Sequence, residues 1–281
     1  MLTRAGYLYP RADGPDEARQ LEAEGWVVLR QVFAPAEIAR LHHEISEIFA
    51  TEIPPIRVAG RTAAEYADYR HGTFNKSAAA QAAAAHPRIL ETIEPLLGED
   101  CHIIANTSWR NPADDPRAVD GGSWHCDGGP HVPRPAGVPW DDRIPYPVFA
   151  IGVHILLEDC PRACGPTGVL ARSHRSGQAP PRSPNSRSAV FYDGDGPVAL
   201  TGAAGDVAMF VSDTWHRRLP TIPSADTGRF FLQVHYARRD IAQRVELTEH
   251  VNHVGPDATR RAKTDRERRL IGLHPPGFYD A

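Results

Sequence analysis

The feature that most restricts the fold of this chain is a series of short apolar segments between residues 101 and 239. They are rich in β-branched and aromatic residues, and turn-forming residues separate them. No helical pattern is inserted between them, which argues against parallel strands joined by helices. The pattern predicts an antiparallel sandwich or barrel made of CHIIANTSWRN (101–111), VFAIGVHILLED (148–159), AVFYD (189–193), GPVALTG (196–202), DVAMFVSDTWH (206–216) and RFFLQVHYARR (229–239).

Helical sequence precedes this region, and a charged stretch follows it. PDEARQLEAEG and APAEIARLHHEISEIFA are typical of helices, with the strand-like WVVLRQVF between them, and AAAQAAAAHPRILETIEPLLG is helical up to its final glycine. We predict a single domain over residues 1–281, with a helical part at 15–98, a β core at about 101–240, and a C-terminal helix and tail at 241–281.

Composition narrows the possible partners. The net charge of −4 gives no reason to expect nucleic acid or an anionic membrane surface as a partner. No apolar run approaches the ~18–20 residues that span a bilayer, and the N-terminus lacks the apolar region of a secretory signal. We therefore expect a cytoplasmic protein with no membrane partner, in which the four cysteines are reduced thiols.

The short motif SWHCDGG at residues 123–129 contains two metal-binding side chains two positions apart. Side chains at i and i+2 of a strand point to the same face, so His125 and Asp127 project together while Cys126 points away. An imidazole and a carboxylate on one face are two ligands of a metal site that still needs a third.

The best candidate for the third ligand is His216, which follows the apolar run GDVAMFV as that strand ends. Two histidines and one carboxylate form the facial triad that holds Fe(II) on one side and leaves the opposite positions open for substrate and O2. The residues therefore predict a metal site made of His125, Asp127 and His216.

The strand RFFLQVHYA, which begins at Arg229, carries two different faces. Phe230, Leu232, Val234 and Tyr236 form an apolar face, and the other face holds Arg229, Phe231, Gln233 and His235. Arginine, glutamine and histidine inside a β-barrel are costly unless something polar occupies the interior. A small dianion would suit that interior, because a guanidinium binds a carboxylate through two parallel hydrogen bonds.

Five segments of the chain, in order, resemble the phytanoyl-CoA dioxygenase-like family of Fe(II)- and 2-oxoglutarate-dependent oxygenases, over roughly residues 18–240. The segments are LEAEGWVVLRQVFAPAEIARL, SWHCD, ILLEDCPRACGPTGVLARSHRSG, AGDVAMFVSDTWH and RFFLQVHY. One departure is clear: Ala171-Arg172 stands where the family has Pro-Gly before Ser173-His174.

The resemblance implies a mainly β fold with flanking helices, a double-stranded β-helix of the jelly-roll, cupin-like type. It implies Fe(II) ligands at His125, Asp127 and His216, with Arg229 holding the distal carboxylate of 2-oxoglutarate. Family members often add a polar side chain from the strand before the WHxD segment, and Asn106 and Ser108 are the candidates by position. The carboxylate of Asp127 argues against halogenation, because related halogenases have a small residue there.

The resulting functional prediction is a dioxygenase that uses Fe(II), 2-oxoglutarate and O2 to oxidise a C–H bond, most simply by hydroxylation, with succinate and CO2 as co-products. The substrate is expected to be a polar small molecule, selected by residues 52–77 and by residues 128–148, which would fold over the iron as a lid. The candidate substrate and lid side chains are Tyr69, Asn75, His131, Arg134, Trp140 and Gln233.

Two other classes of function stay open at this point. One is a non-oxidative, cupin-like metalloprotein, and the other is a non-catalytic binding protein of the same fold. The sequence leaves the identity of the substrate and the oligomeric state open.

Overall fold

The computed structural model of the chain describes residues 14–52, 69–111, 120–141, 143–181, 189–222, 228–241 and 254–275. Within them lie seven α-helices: α1 (Asp16–Glu24), α2 (Pro35–Thr51), α3 (Thr73–Lys76), α4 (Ala78–Ala84), α5 (Pro87–Leu97), α6 (Pro256–Arg261) and α7 (Asp265–Leu270). The strands are β1 (Trp26–Leu29), β2 (Tyr69–His71), β3 (His102–Asn111), β4 (Ala150–Leu156), β5 (Thr167–Val169), β6 (Val198–Ala199), β7 (Val207–Val211), β8 (His216–Arg218) and β9 (Arg229–Ala237).

These strands form two antiparallel sheets. The larger sheet has the order β1-β7-β4-β9-β3-β2, and the smaller sheet has the order β6-β5-β8. The larger sheet does not close on itself, because β1 and β2 remain its edges. The prediction of a mainly antiparallel fold with flanking helices is confirmed.

Strand β9, inside the larger sheet, places apolar side chains on one face of the sheet and more polar side chains on the other. Phe230, Leu232, Val234 and Tyr236 pack in the main hydrophobic core together with side chains of α1, α2, α4 and α5. Each is at most 1% exposed, and burial of such a side chain contributes about 1.5–3 kcal/mol. The alternate residues Arg229, Phe231, Gln233 and His235 line a cavity on the other face, as the period of two predicts.

The N-terminal helix–strand–helix unit is present as predicted, although its strand ends earlier, at Leu29. Helix α1 ends at Gly25, whose φ of 80° is a left-handed conformation that glycine adopts without strain. The next residues turn away at Gln31, which has a φ of 51° and whose N–H donates to the carboxylate of Asp206. The apolar face of α2, made of Ile38, Leu41, Ile45 and Ile48, is buried.

Elsewhere the observed elements are shorter than the predicted ones. The segment at 78–98 is two helices, because Pro87 follows His86 and the residue before a proline disfavours the helical conformation. The run at 206–216 divides into β7 and the start of β8, and residues 189–193 contribute only a bridge between Tyr192 and Asp195.

Two outer segments also differ from prediction or lie partly outside the structure. The segment at 52–77, which was predicted to select the substrate, contains β2 and α3, and its residues 53–68 lie outside the described part. The charged C-terminal stretch forms two short helices instead of one. None of the helices that the structure describes is both long and apolar enough to cross a membrane. The assignment of the whole chain to one domain stays a prediction.

Candidate metal centre

The backbone brings the two predicted histidine ligands together. His125 and His216 form an antiparallel bridge in which each N–H donates to the carbonyl of the other, at 3.0 Å in both directions. Two residues further on, the N–H of Asp127 donates to the carbonyl of Ser212 at 2.9 Å. The SWHCD segment is thus attached at two points to residues 212–216, which run from the end of β7 to the start of β8.

Potential ligand atoms of His125, Asp127 and His216 all lie within 4.8 Å of one another. The Nε2 atom of His125 is 3.7 Å from Oδ1 of Asp127, and the Nε2 atom of His216 is 3.4 Å from Oδ2. The two imidazole rings are 4.2 Å apart between centroids. Two imidazole nitrogens and a carboxylate around one point form a donor set that suits Fe(II).

The tautomers of both histidines also suit a metal. Nδ1 of His125 lies 2.9 Å from the carbonyl of Ser123, and Nδ1 of His216 lies 2.8 Å from the carbonyl of Thr214. A carbonyl only accepts hydrogen bonds, so each Nδ1 carries the proton. Each Nε2 then keeps its lone pair for a metal, which is the arrangement typical of metal-binding histidines.

The electrostatic environment keeps the carboxylate of this cluster charged. Burial raises the pKa of Asp127, but His216 and His235 beside it outweigh burial and hold that pKa well below its usual range. Burial and the neighbouring His216 lower the pKa of His125. For His216, burial lowers the pKa but the Asp127 carboxylate outweighs it, so the net shift is upward.

A cavity of about 760 Å³ opens beside this cluster. Arg229 lines it and is only 8% exposed, and its Nε–H donates to Oδ1 of Asn111 at 2.7 Å. The other lining residues include side chains that the sequence analysis did not select: His71, Thr107, Trp109, Asn111, Ser123, His154, Thr167, Arg217 and Arg218. Side chains alternate between the two faces of a strand. Once one residue of β3 and one of β4 had been assigned to a face, this alternation would have predicted that Thr107, Trp109, Asn111 and His154 face the cavity.

Asn106 and Ser108, the predicted helpers of Arg229, lie on the face of β3 that points away from the cavity. The Oδ1 atom of Asn106 accepts the N–H of Phe74 at 3.0 Å, and the Ser108 hydroxyl lies 2.8 Å from the Thr73 hydroxyl. Both therefore hold the start of α3. The assignment of alternate β3 residues to the two faces of the sheet was wrong. The strand is irregular between Ile103 and Ala105, and a shift of one residue exchanges the faces.

The segment at 128–148, which was predicted to fold over the iron as a lid, makes the contacts shown for its candidate side chains elsewhere, and its role as a lid stays a prediction. His131 contacts Asp213, Arg134 donates to the carbonyls of Val138 and Arg175, and Trp140 packs against the main core. None of these three residues lines the cavity. Residues 128–148 contact the stretch that joins β7 to β8 instead.

The remaining substrate candidates divide between the cavity and its surroundings. Gln233 lines the cavity, and Tyr69 lies beside the lining residue Trp109, with ring centroids 4.9 Å apart. Asn75 lies elsewhere, where its Oδ1 accepts the N–H of Gly255 at 2.6 Å.

The departure at Ala171-Arg172 has a conformational consequence. Arg172 has a φ of 64°, a region in which glycine is unstrained, and its guanidinium pairs with Glu24 and Asp195. The following His174 is buried, and its Nε2 lies 2.9 Å from the carbonyl of Glu22. The chain therefore keeps the turn without the glycine, and His174 is not part of the metal cluster.

Comparisons with known proteins agree with this geometry. The family model described as "Phytanoyl-CoA dioxygenase (PhyH)" matches residues 21–220. Among curated protein sequences, none matches the chain.

Solved structures of similar fold include several non-haem enzymes. The epimerase SnoN with Fe3+, α-ketoglutarate and nogalamycin RO is 18% identical, with 89% of each chain covered and a TM-score of 0.58. The carbocyclase SnoK is 17% identical over 86% of this chain and 92% of its own (TM-score 0.58), and the monooxygenase ThoJ with nickel is 20% identical over 81% and 79% (TM-score 0.56). The chain therefore belongs to the phytanoyl-CoA dioxygenase family, the non-haem iron and 2-oxoglutarate-dependent oxygenases that the sequence analysis predicted.

Proposed function

We propose that this oxygenase oxidises a C–H bond of a polar small molecule, most simply by hydroxylation, at an Fe(II) ion held by His125, Asp127 and His216. The convergence of three ligand groups in the wall of a cavity that Arg229 also lines is the observation that carries the proposal. Bound Fe(II) and 2-oxoglutarate would together supply the activation of O2, with succinate and CO2 as co-products.

We propose that the distal carboxylate of 2-oxoglutarate binds Arg229. Asn111 accepts the Nε–H of Arg229 and so orients its planar guanidinium. His154 lies nearby, between the rings of Phe210 and Phe231, and burial followed by the charge of Arg229 lowers its pKa well below the usual range. The buried Nε2 of this neutral imidazole has no hydrogen-bond partner among the residues described, so it is a polar group that a bound keto diacid can satisfy.

The mixed lining of the cavity supports a substrate that has both flat apolar parts and polar groups. Trp109 and Phe231 offer aromatic surface, and Thr107, Ser123 and Gln233 offer hydrogen-bonding groups. These side chains would orient the substrate and exclude water from the reacting carbon. Because an epimerase and a carbocyclase share the fold, inversion of a centre and ring closure are alternative outcomes for the same site.

Anaerobic titration of the protein with Fe(II) and 2-oxoglutarate tests the proposal. Chelation of the metal by the keto acid should produce a weak visible charge-transfer band, and exposure to O2 should then release succinate. His125→Ala should abolish the band, whereas His43→Ala, at an exposed histidine of α2, should leave it unchanged.

A second pair of variants separates the two binding roles. Arg229→Ala should weaken 2-oxoglutarate by about 10- to 100-fold, because a buried charge-assisted pair is lost, with little change in Fe(II) affinity. Arg40→Ala, at an exposed arginine, is its control. Metal binding without 2-oxoglutarate binding by the parent protein would favour a cupin-like metalloprotein, and binding of neither ligand would favour a non-catalytic binding protein. Loss of neither ligand in these variants would contradict the assigned roles of His125 and Arg229.

The cellular location is a separate proposal. No disulfide joins any of the four cysteines, Cys101, Cys126, Cys160 and Cys164, in the structure. Free thiols suit a reducing compartment, and we propose the cytoplasm. Recovery of the native protein in a periplasmic or secreted fraction, with oxidised cysteines, would contradict this.

A further inference from the structure

One wall of the cavity consists of side chains that β3 and β9 place next to each other. The register of the two strands sets Trp109 beside Phe231 and, two residues on, Thr107 beside Gln233. The first pair is aromatic, and the second pair can form hydrogen bonds. Along β9 every residue except Gln233 is buried. The Gln233 side chain therefore reaches the open space of the cavity that it lines.

The orientation of the Gln233 amide is fixed by its two neighbours. The indole N–H of Trp109 can only donate, and it lies 2.6 Å from one end of the amide, so that end is the oxygen Oε1. The other end is the nitrogen Nε2, which lies 3.3 Å from Nε2 of His235. An amide nitrogen only donates, so one of its two hydrogens is directed to that imidazole. The reverse orientation would place two donors 2.6 Å apart at Trp109.

The contact with His235 also places this amide near the metal cluster. Nε2 of His235 is 3.0 Å from Oδ2 of Asp127. His235 pairs in register with Gly152 and Ala105, two of the smallest residues, and a Cβ atom at Gly152 would lie 3.0 Å from Nε2 of His235. These small residues leave room for the imidazole between Gln233 and Asp127. A ligand atom held by Gln233 therefore lies about one imidazole away from the proposed metal ligands.

The second hydrogen on Nε2 of Gln233 has no partner among the residues that the structure describes. A donor in a cavity wall favours a ligand that brings an acceptor, and it penalises a ligand that leaves the donor unpaired. The neighbouring Thr107 hydroxyl is already engaged, because it lies 2.9 Å from Nδ1 of His71. The amide of Gln233 is thus the donor of this pair that a substrate can use.

We propose that Gln233 is a specificity-determining residue: its N–H donates to a carbonyl oxygen of the substrate, and the flat apolar part that carries this carbonyl lies against Trp109 and Phe231. A carbonyl oxygen only accepts hydrogen bonds, so it matches a donor that is fixed in place. The substrate class is therefore a carbonyl-bearing ring compound, such as a cyclic ketone or lactam, with the reacting carbon near the carbonyl. This inference rests on the proposed oxygenase function and names its substrate class.

The test measures the binding of a matched pair of probes to the full-length protein by anaerobic isothermal titration. The probes α-tetralone and tetralin share a fused ring system and differ in one carbonyl group. Gln233→Leu should lower the ratio of α-tetralone affinity to tetralin affinity by about 3- to 10-fold relative to the parent protein, as expected for one lost hydrogen bond. Gln20→Leu, on α1 outside the cavity, is the control and should leave the ratio unchanged.

Two further variants separate the orientation of the amide from its presence. Gln233→Glu replaces the donor by a charged acceptor, so it should reject α-tetralone and favour the ammonium group of α-aminotetralin. Trp109→Phe keeps an aromatic ring but removes the N–H that fixes Oε1. The amide can then turn, and the preference for α-tetralone should fall by less than it does in Gln233→Leu.

An unchanged affinity ratio in Gln233→Leu, including an equal loss of both probes, would overturn the proposal, as would binding of neither probe by the parent protein. If Gln233→Leu does not fold, Gln233→Glu provides the same comparison. The charge-transfer band of Fe(II) and 2-oxoglutarate is recorded for the same proteins. Its absence from the parent protein means that the proposed function has failed, whereas its presence with an unchanged ratio means that only the role of Gln233 has failed.

Discussion

Two aspartates, the half-buried Asp127 and the buried Asp213, lie close together in the fold and have opposite surroundings. Both have a lowered pKa and both contact histidine, yet only Asp127 lines the cavity. Asp213 accepts the Tyr146 hydroxyl at 2.7 Å and the backbone N–H of His131 at 3.1 Å on one oxygen, and Nδ1 of His131 lies 2.5 Å from the other.

Their surroundings show how a metal-binding carboxylate is distinguished from a structural one. The oxygens of Asp213 are used by donors from the segment at 128–148, so this carboxylate attaches that segment to the loop that precedes His216. Asp127 instead faces two imidazoles whose Nδ1 atoms are engaged elsewhere, which leaves Nε2 lone pairs directed toward a shared point. A buried aspartate beside a histidine is therefore not enough to predict a metal site.

The largest expected effect is on metal affinity. Asp127→Asn should weaken Co(II) or Fe(II) by ~100-fold or more, because loss of a ligand exceeds the 10- to 100-fold effect of losing its support. Asp213→Asn, a matched change at the second carboxylate, should alter affinity much less. Isothermal titration of both variants measures this, and equal losses would remove the distinction drawn between the two aspartates.

The next effect is on stability. Asp213→Asn should lower the free energy of unfolding by about 3 kcal/mol, because buried donors of His131 and Tyr146 lose a charged acceptor. Urea denaturation measures it, with the exposed Asp141→Asn as the control. Burial raises the pKa of Asp213, but the hydrogen bonds from His131 and Tyr146 prevail and lower it. The contribution is therefore present above about pH 4 and should fade below it, where the carboxylate becomes protonated.

A smaller effect concerns His174, which packs against Tyr146 on the Asp213 side of the fold. Burial lowers its pKa to about 3. The unfolded chain therefore binds a proton below about pH 6.5 that the folded chain does not, so stability should fall as the pH falls. Between pH 6.5 and 5 this histidine should account for about 2 kcal/mol.

Urea denaturation across this pH range, for the parent protein and for His174→Gln, measures that contribution. The glutamine variant should show a flatter dependence between pH 6.5 and 5, since it has no proton to bind at this position. Identical slopes for the two proteins would contradict the assignment of the pH dependence to His174.

The smallest expected effect lies in the segment at 128–148. Arg134→Ala should change 2-oxoglutarate affinity by no more than about 2-fold, the size of an ordinary substitution away from a site. Arg134 is much nearer the SWHCD motif in sequence than Arg229, but it lies over the Trp140 ring outside the cavity. A loss comparable to that of Arg229→Ala would show that this segment does reach the bound co-substrate.

Sequence reasoning succeeded where a local period decides the direction of a side chain. The alternation along β9 correctly separated the core residues from Arg229, Gln233 and His235, and the i, i+2 spacing correctly paired His125 with Asp127. It failed on β3, where an irregularity after Ile103 exchanges the faces and moves Asn106 and Ser108 out of the cavity.

The family, the antiparallel strands and the three candidate ligands could be predicted from the residues alone, because these depend on motif spacing and on the two-residue period of strands. Which long segment lies beside the cavity, and which carboxylate accepts hydrogen bonds on both oxygens, became clear from the three-dimensional packing. It also showed that His235 lies against Asp127, since that contact depends on small residues from two neighbouring strands. Contacts between segments distant in the chain are set by packing and strand register, and no local pattern records them.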